Sequence, residues 1–407
     1  MLENRRIRIA YLVTHPIQYQ ASLLRLVAAQ PDLELTVFFA SDFSARPFLD
    51  GELQTTVVWQ EDILTGYKSR RLGHYGSDLR PGELPSFFRP LSRGIGRELR
   101  QGRFDALWIH GYHRFSHLWA MVVARYLGIP ILLRDEVTAV SSERSRLRQT
   151  MKRFFFKLLD RWVDVWLVIG TANSDYYTAL GIESAKMVLM PYTVDNDFFQ
   201  TRHTASLAQN RPAWLRLELG IDSVTPVILF VGKLIARKRP LDVIRAMAAV
   251  AEPAVLVMGG EGGLRTECER LVTELRLSER VKLVGFRGQA ELADYYAMAS
   301  LFVLPSERES WGLVINEAMN AALPIVASDR CGAARDLVRP GKNGFGYRVG
   351  EVDRLGKILS LLLGNPLRRA AMGRQSLAMI SGWGLPQSLS GLREGLRKVR
   401  LLDKPSP

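Results

Sequence analysis

Short apolar segments rich in β-branched residues alternate with longer, helix-like patterns along most of the chain. In the first half these segments are Ile7–Thr14, Leu35–Ser41, Ala106–His110, Ile131–Arg134, Val165–Ile169 and Met187–Met190. In the second half they are Val227–Val231, Ala254–Met258, Val281–Val284, Leu301–Leu304 and Pro324–Ala327. Strands that alternate with helices in this way are typical of βαβ units and parallel sheets. The pattern therefore predicts an α/β protein with two Rossmann-like domains.

A polar, turn-rich stretch from Pro191 to Trp214 separates the two series. It shows no clear periodicity, which favours a connection between domains. We therefore predict domains at 1–192 and 213–385, joined by a linker at 193–212 and followed by a basic helix and frayed tail at 386–407. In two facing Rossmann-like halves, the natural ligand site is the cleft between them, at the carboxyl ends of the strands.

The composition limits the classes of protein to which the chain can belong. A chain of 407 residues with 47% hydrophobic and 24% charged residues is long enough for two folded domains. Cys268 and Cys331 match no metal-ligand or redox spacing, so we expect no disulfide framework and predict a cytoplasmic protein. No apolar run approaches the ~18 residues of a membrane span, and we expect a chain that is neither secreted nor integral to a membrane.

The net charge of +14 favours polyanionic partners such as nucleic acid, anionic lipid or phosphorylated small molecules. The net charge alone does not indicate which of these partners the protein binds. The sequence contains no paired Cys/His finger and no aromatic RNA-binding strand motif, so we expect no nucleic acid.

The segment ESWGLVINE follows a strand and opens a helix near Gly312. Glu309 lies before the helix, and Glu317 lies about one and a half turns into it. A helix start offers unpaired N–H groups and partial positive charge, which suit a diphosphate. Carboxylates on either side can accept hydrogen bonds from sugar hydroxyls. The alternative interpretation is that Glu309 only caps the helix and Glu317 is solvated.

A basic loop follows the strand that ends at Gly232. It carries Lys233, Arg237, Lys238 and Arg239. Glycine lets a ligand approach the backbone closely, and cations beyond the carboxyl end of a strand neutralise phosphate. The alternative interpretation is a solvated basic loop.

Together these segments resemble family 4 of the retaining glycosyltransferases, which has the GT-B fold of two facing Rossmann-like domains. The pair Glu309 and Glu317 resembles the E-x7-E motif of that family, in which the first glutamate contacts the donor sugar and the second the ribose. The diphosphate contacts implied by the resemblance are Lys233, Lys238 and the backbone of Gly312–Val314. Lys233 stands where the family usually has Arg, and Arg239 where it usually has Gly.

The resemblance also implies the other members of the site. The donor contacts it implies are Gly232, Arg237, Val284, Gly285, Phe286, Ser310, Trp311, Gly312, Leu313, Val314 and Glu317, of which Val284–Phe286 hold the base. The catalytic set it implies is His110, Lys233, Lys238 and Glu309, with His110 near the reaction centre of the sugar. The segment HPIQYQ is similar to the start of some bacterial envelope-polysaccharide members and suggests an acceptor-side role for His15. A capping histidine is the alternative.

We expect no metal ion and no cofactor. His110, His113 and His117 lack a carboxylate to complete a metal site. The triplet Asp195-Asn196-Asp197 resembles a metal-binding D-x-D motif, but it lies in the predicted linker. A third glycine-rich strand end, 257–265, lacks the G-x-G-x-x-G fingerprint of dinucleotide sites.

The activity implied by the resemblance is a metal-independent, retaining transfer from a UDP- or GDP-linked sugar to a glycan or lipid-linked acceptor, in envelope or exopolysaccharide biosynthesis. A nucleotide-sugar 2-epimerase of the same fold and a non-catalytic sugar-nucleotide-binding subunit are the alternatives.

The segment Arg144–Trp166 is predicted as a helix with apolar residues on one face and Arg153, Lys157 and Arg161 on another. It can dock on an anionic membrane, at the inner face of the cytoplasmic membrane, or pack on the first sheet with a solvated basic face.

Overall fold

The structure is a computed structural model that describes residues 5–53, 55–57, 62–75, 86–89, 91–92, 94–139 and 146–402. Of the features predicted above, Arg144 and the tail at 403–407 lie outside these residues. The chain divides into two compact units. Their segments are, for the first unit, Met1–Asp50, Thr56–Tyr192 and Leu385–Pro407, and for the second, Gly51–Thr55 and Thr193–Gly384.

The first unit is built on a seven-stranded parallel sheet. The strands in the first half of the chain are β1 (Ile7–Val13), β2 (Leu33–Phe39), β3 (Phe48–Asp50), β4 (Thr55–Val57), β5 (Lys68–Arg71), β6 (His74–Tyr75), β7 (Leu91–Ser92), β8 (Ala106–His110), β9 (Ile131–Arg134), β10 (Val165–Val168) and β11 (Met187–Leu189). The order in the main sheet is β11-β10-β9-β8-β1-β2-β5, and β3-β4 and β6-β7 form two small pairs.

Helices cover both faces of this sheet. They are α1 (Gln18–Ala28), α2 (Ile95–Gly102), α3 (Phe115–Tyr126), α4 (Arg146–Leu159), α5 (Thr171–Ala179) and, from the end of the chain, α15 (Leu385–Lys398). Side chains alternate along β1, so Ala10 and Leu12 enter a core with α2 to α5, whereas Ile9 and Tyr11 enter a core with α1 and α15. The predicted α/β class with parallel sheets is confirmed.

The second unit holds a six-stranded parallel sheet in the order β14-β13-β12-β15-β16-β17. Its strands are β12 (Val227–Val231), β13 (Val255–Gly259), β14 (Val281–Gly285), β15 (Leu301–Leu304), β16 (Ile325–Ser328) and β17 (Gly344–Tyr347). Its helices are α6 (Asn196–Ala208), α7 (Arg211–Glu218), α8 (Pro240–Ala248), α9 (Arg265–Glu274), α10 (Gln289–Met298), α11 (Leu313–Asn320), α12 (Gly332–Leu337), α13 (Val352–Leu363) and α14 (Pro366–Ile380). The central strands are fully buried, as expected for a parallel sheet covered on both faces.

The stretch 193–212, predicted as a linker, forms α6 and the start of α7 within the second unit. Helix α6 buries only Phe199 and Ser206, so its sequence carries little apolar periodicity. Its start signal is the Asp195 carboxylate, which accepts a hydrogen bond from the Phe198 N–H at 3.1 Å.

The C-terminal helix α15 belongs to the first unit. Leu392 and Leu396 are buried in its core, and Arg393 donates two hydrogen bonds of 2.8 Å to the Asp32 carboxylate. Gly391 brings this helix against the backbone of β11, because an added Cβ would lie 2.3 Å from the Leu189 oxygen. Within the part of the chain described, no helix is long and apolar enough to cross a membrane.

Candidate active site

Both sheets have a point at which the strand order reverses, between β1 and β8 in the first unit and between β12 and β15 in the second. Ligands of open α/β sheets bind beyond the carboxyl ends of the strands at such a point. In the second unit the two segments that follow these strands are 232–238 and 305–312, which carry the predicted donor residues. In the first unit His15 follows β1 and His110 ends β8.

The basic loop after β12 is short, and backbone hydrogen bonds hold it in place. The Gly232 N–H donates to the Gly259 oxygen at 3.0 Å, and a turn of 3-10 helix covers Ala236–Lys238. The Glu307 N–H donates to the Arg237 oxygen at 2.8 Å, which joins this loop to the one after β15. The side chains of Lys233 and Arg237 extend from this loop to a carboxylate, that of Glu52, at 2.9 and 2.8 Å.

Glu309 and Lys238 form an ion pair between the two loops. Their side chains are only 14% and 13% exposed, and Ser306 Oγ lies 3.5 Å from the same carboxylate oxygen. The backbone of Glu309 is fixed as well, since it donates to the Arg330 oxygen at 3.2 Å and accepts from the Gly332 N–H at 3.0 Å. The structure therefore brings together a predicted sugar-binding carboxylate and a predicted phosphate-binding cation.

Helix α11 begins directly after Gly312, which has a φ of 102°. Glycine adopts this left-handed conformation without the steric cost that a Cβ imposes. No side chain caps the start of this helix among the residues that the structure describes, and its first turn contains no acidic residue. The N–H groups at Leu313 and Val314 thus lie at a helix start whose partial positive charge suits an anion.

Glu317 lies on the second turn of α11 and is fully buried. Its carboxylate accepts a hydrogen bond of 2.7 Å from the Tyr296 hydroxyl, which holds the buried group in place. The alternative of a solvated Glu317 is wrong, and the ribose contact that the resemblance implies stays a prediction.

Trp311 anchors the loop before α11. Its indole N–H donates to Asn316 Oδ1 at 2.9 Å, and its ring stacks on Trp383 with 5.4 Å between centroids. The Trp311 side chain is 2% exposed, so the neighbouring Ser310 and Gly312 are positioned by a buried indole that stacks on a second one.

A pocket of about 560 Å³ opens beside the carboxyl end of β14. Its lining includes Val284, Gly285 and Phe286, the three residues predicted to hold the base. The Gly285 oxygen already accepts a hydrogen bond of 2.8 Å from the Gly260 N–H. Glu261 and Arg265 add charged groups to the lining.

In the first unit His110 is part of a chain of side-chain hydrogen bonds that begins at Tyr11. The Tyr11 hydroxyl donates to Gln20 Oε1 at 2.6 Å, which turns the Gln20 amide nitrogen towards His110 Nδ1 at 3.1 Å. His110 Nε2 lies 3.3 Å from Glu136 Oε1. If Nδ1 accepts from Gln20, the proton of the neutral ring resides on Nε2 and is donated to Glu136.

Glu136 is held in its charged form. Burial alone would raise the pKa of this carboxyl, but hydrogen bonds from His110 and Tyr192 and the nearby Arg134 charge outweigh burial and lower it. Arg134 itself is buried, and it ends β9 at the same edge of the sheet. The edge thus carries a buried arginine and, near it, a partly exposed carboxylate that contacts His110, and such groups of charges are typical of functional sites.

The other histidines have different surroundings. Burial, together with the electrostatic influence of the nearby His110 and Arg114, lowers the pKa of His15 to about 4, and its ring lies 4.8 Å from that of Phe43. Burial lowers the pKa of His117 to about 3. His113 lies 3.3 Å from an Asp135 oxygen. His15 and His117 are therefore neutral at pH 7.

Within the described ranges, no group of three or more His, Cys, Asp or Glu side chains is placed to hold a metal ion. Asp195 of the D-x-D triplet caps α6, and the Asn196 amide donates to the Ile380 oxygen at 2.9 Å. Cys268 and Cys331 are buried free thiols.

Sequence reasoning missed Glu52, Gln20, Glu136 and Tyr296. Glu136 follows β9 by two residues, so the rule about carboxyl ends of strands, applied to every strand, points to it. Gln20 lies in the HPIQYQ segment itself. Glu52 had no local signal, because its partner Lys233 is 181 residues away.

Solved structures that superpose on this chain include glycosyltransferases of the GT-B fold. The crystal structure of Anabaena HepE in complex with UDP superposes with a TM-score of 0.73 and 18% identity, covering 96% of this chain and 100% of that one. A glycosyltransferase from Rickettsia africae superposes with a TM-score of 0.74 and 11% identity, covering 97% and 99%. The chain therefore has the GT-B fold, as predicted.

Residues 215–378 match the family model described as "Glycosyl transferases group 1", so this part of the chain is a glycosyl transferases group 1 domain. It spans most of the second unit. The D-inositol 3-phosphate glycosyltransferase of Nocardia farcinica is 31% identical over 55% of this chain and 52% of its own length. The D-inositol 3-phosphate glycosyltransferase 1 of Catenulispora acidiphila is 29% identical over 76% of each chain. The chain spans about half the length of the first of these relatives.

Proposed function

We propose that the chain is a glycosyltransferase that moves a sugar from a nucleotide-diphosphate sugar to a glycan or lipid-linked acceptor. The observation that carries the proposal is the pairing of Lys238 with Glu309 beside the open start of α11, at the point where the strand order of the second sheet reverses. This group lies within the range that matches the glycosyl transferases group 1 model.

The chemistry of glycosyl transfer explains why cations belong at this place. As the bond between sugar and diphosphate breaks, negative charge grows on a phosphate oxygen and positive charge on the sugar ring. Preorganised donors at that oxygen are the main requirement. We assign this role to Lys233, Lys238 and the N–H groups at the start of α11, without a metal ion or cofactor. The resemblance adds retention of configuration, Glu309 on the donor sugar and Glu317 on the ribose.

The donor we propose is a UDP- or GDP-linked sugar, with the base in the pocket beside Val284–Phe286. UDP is the ligand in the Anabaena HepE structure, and a second structure of that protein contains UDP and glucose. UDP is therefore the first nucleotide to test. We place His110 at the reaction centre and His15 on the acceptor side, as the resemblance implies, with Glu136 orienting His110.

The test is incubation of the purified protein with UDP-, GDP- and ADP-linked sugars, with and without glycan and lipid-linked acceptors. Release of nucleoside diphosphate that depends on an acceptor supports the transferase. A changed sugar without an acceptor supports the 2-epimerase instead, and tight donor binding with neither reaction supports a non-catalytic subunit. Activity lost on adding EDTA would contradict metal independence, and NMR of the product's anomeric proton tests retention.

A lipid-linked acceptor is favoured by an apolar groove of about 660 Å³ in the first unit. Apart from Arg161, its lining is entirely hydrophobic and includes Phe87, Trp119, Phe155 and Trp162. Soluble proteins rarely expose such contiguous apolar surface without a partner.

The exposed side of α4 adds to this surface. Phe156 and Leu159 of this helix face the core, whereas Phe154 is 66% exposed. Exposed cations, Lys157 and Arg161, lie next to these apolar groups. Apolar side chains flanked by cations suit anionic lipid. We propose that this surface contacts the inner face of the cytoplasmic membrane, in envelope or exopolysaccharide biosynthesis.

A further inference from the structure

The segment Gly51–Thr55 belongs to the second unit, although the residues on both sides of it belong to the first. Leu53, 8% exposed, and Thr55 line the same pocket as Val284 and Phe286. A short piece of the first half of the sequence therefore forms part of the wall of the proposed donor site.

Glu52 places a carboxylate among the cations of that site. One of its oxygens, Oε2, accepts hydrogen bonds from Lys233 Nζ at 2.9 Å and from Arg237 Nη2 at 2.8 Å. Burial alone would raise the pKa of Glu52, but these two hydrogen bonds outweigh it and hold the pKa below its ordinary value. Glu52 is thus an anion at neutral pH, bound to two cations that lie next to the proposed diphosphate site.

We propose that Glu52 competes with the diphosphate of the donor for Lys233 and Arg237, and so sets the affinity of the site for donor and product. The inference rests on the proposed function, because that function assigns Lys233 to the donor diphosphate, and the resemblance counts Arg237 among the donor contacts. A nucleoside diphosphate carries more negative charge than one carboxylate and displaces it. When the product diphosphate leaves, Glu52 takes back its two partners, which favours release.

The size of the effect follows from the exposure of the three side chains. Glu52, Lys233 and Arg237 are 45%, 27% and 37% exposed, so water and salt screen both ion pairs. Ion pairs of this kind contribute little each, and breaking two of them weakens anion binding by about three- to tenfold. The opposite role, in which Glu52 holds the cations in the geometry that the donor needs, predicts a change of opposite sign.

The experiment measures the affinity of the full chain for inorganic pyrophosphate and for UDP by isothermal titration calorimetry. Glu52→Gln keeps the size of the side chain and removes its charge. The matched control is Glu279→Gln, which removes a carboxylate that is 97% exposed in the same unit. A third variant, Glu52→Gln combined with Lys233→Met, tests whether the effect acts through the lysine.

We expect Glu52→Gln to bind pyrophosphate about three- to tenfold more tightly than the unchanged protein and the control, with a smaller gain when Lys233 is also replaced. Unchanged or weaker binding by Glu52→Gln, with normal binding by the unchanged protein, would overturn the inference and leave the proposed function standing. Failure of all variants to bind both pyrophosphate and UDP would overturn both. Melting temperatures show whether each variant is folded.

Discussion

Replacing Lys238 with methionine removes the charge that lies next to Glu309 and keeps most of the length and apolar stem of the side chain. Because both side chains are about one-seventh exposed, the loss leaves a carboxylate largely shielded from water without its partner. Removing one member of a fully buried pair costs about 3–5 kcal/mol, and an exposed pair contributes less than about 1 kcal/mol. For this intermediate case we expect a loss of unfolding free energy of about 2 kcal/mol.

The loss of activity should be larger than the loss of stability. Removing one preorganised donor from a site of developing negative charge typically lowers turnover by about 10²–10³-fold, or about 2.7–4 kcal/mol. In a Glu309→Gln background the same substitution leaves no unpaired charge. Its cost in unfolding free energy should then fall below about 1 kcal/mol, which a double-mutant cycle measures.

Urea unfolding gives the stability of the four proteins in the cycle, and release of nucleoside diphosphate gives their turnover. Lys357→Met, an exposed lysine on α13, is the matched control. The reasoning is refuted if Lys238→Met keeps turnover within about threefold of the unchanged protein, because a donor to the leaving group contributes far more than this. Equal stability costs with and without Glu309 would show that the ion pair is not the source of the stability.

Gly391→Ala should lower the unfolding free energy by about 1–3 kcal/mol, because the added Cβ would lie 2.3 Å from a backbone oxygen of β11. The control is Gly382→Ala, whose added Cβ would meet nothing nearer than 3.7 Å. Equal unfolding free energies of the two variants in urea would contradict the prediction. Glu136→Gln should slow transfer by roughly tenfold or more without changing donor affinity, because it removes the charge beside His110, the proposed catalytic histidine. Unchanged turnover in steady-state kinetics would contradict the role of Glu136 in orienting His110. Arg161→Glu changes the charge by two units, so at about 1 kcal/mol for each unit it should reduce binding to vesicles that contain anionic lipid by about thirtyfold, whereas Lys357→Glu should not. Co-sedimentation independent of anionic lipid would exclude the membrane surface.

The buried central strands were the part of the fold that the sequence predicted best. Val227–Val231 and Leu301–Leu304 were predicted with the bounds that the structure has, because strands covered on both faces are uninterrupted apolar runs. The edge strand Lys68–Arg71 was missed, since its sequence, KSRR, is polar throughout. Gly344–Tyr347, an edge strand of the second sheet, was missed because it contains two glycines.

In the candidate site, too, some residues were predicted from the sequence and others were missed. Lys238, Glu309 and Gly312 were predicted because each lies in a local pattern of strand end, loop and helix start. Their mutual contact was not predicted, because it depends on the reversal of strand order between β12 and β15. Glu52 was missed for a related reason, since the cations that hold it are distant in sequence and meet it only in the folded chain. Glu136 was missed because the rule about carboxyl ends of strands was not applied to β9.

Arg239, which stands where the resemblance implies glycine, shows how a departure from a family pattern can leave a site intact. Its φ is 51°, so the position does require the left-handed conformation that favours glycine, and an arginine there costs about 1 kcal/mol. The arginine also donates a hydrogen bond of 2.6 Å to Asp242, and this hydrogen bond, with the Asp242 charge, raises the pKa of the guanidinium. An ion pair with one buried partner contributes a similar amount, about 1 kcal/mol, so the two effects nearly cancel. The turn that carries Lys238 therefore keeps its conformation, and the cation reaches Glu309 although the glycine is absent.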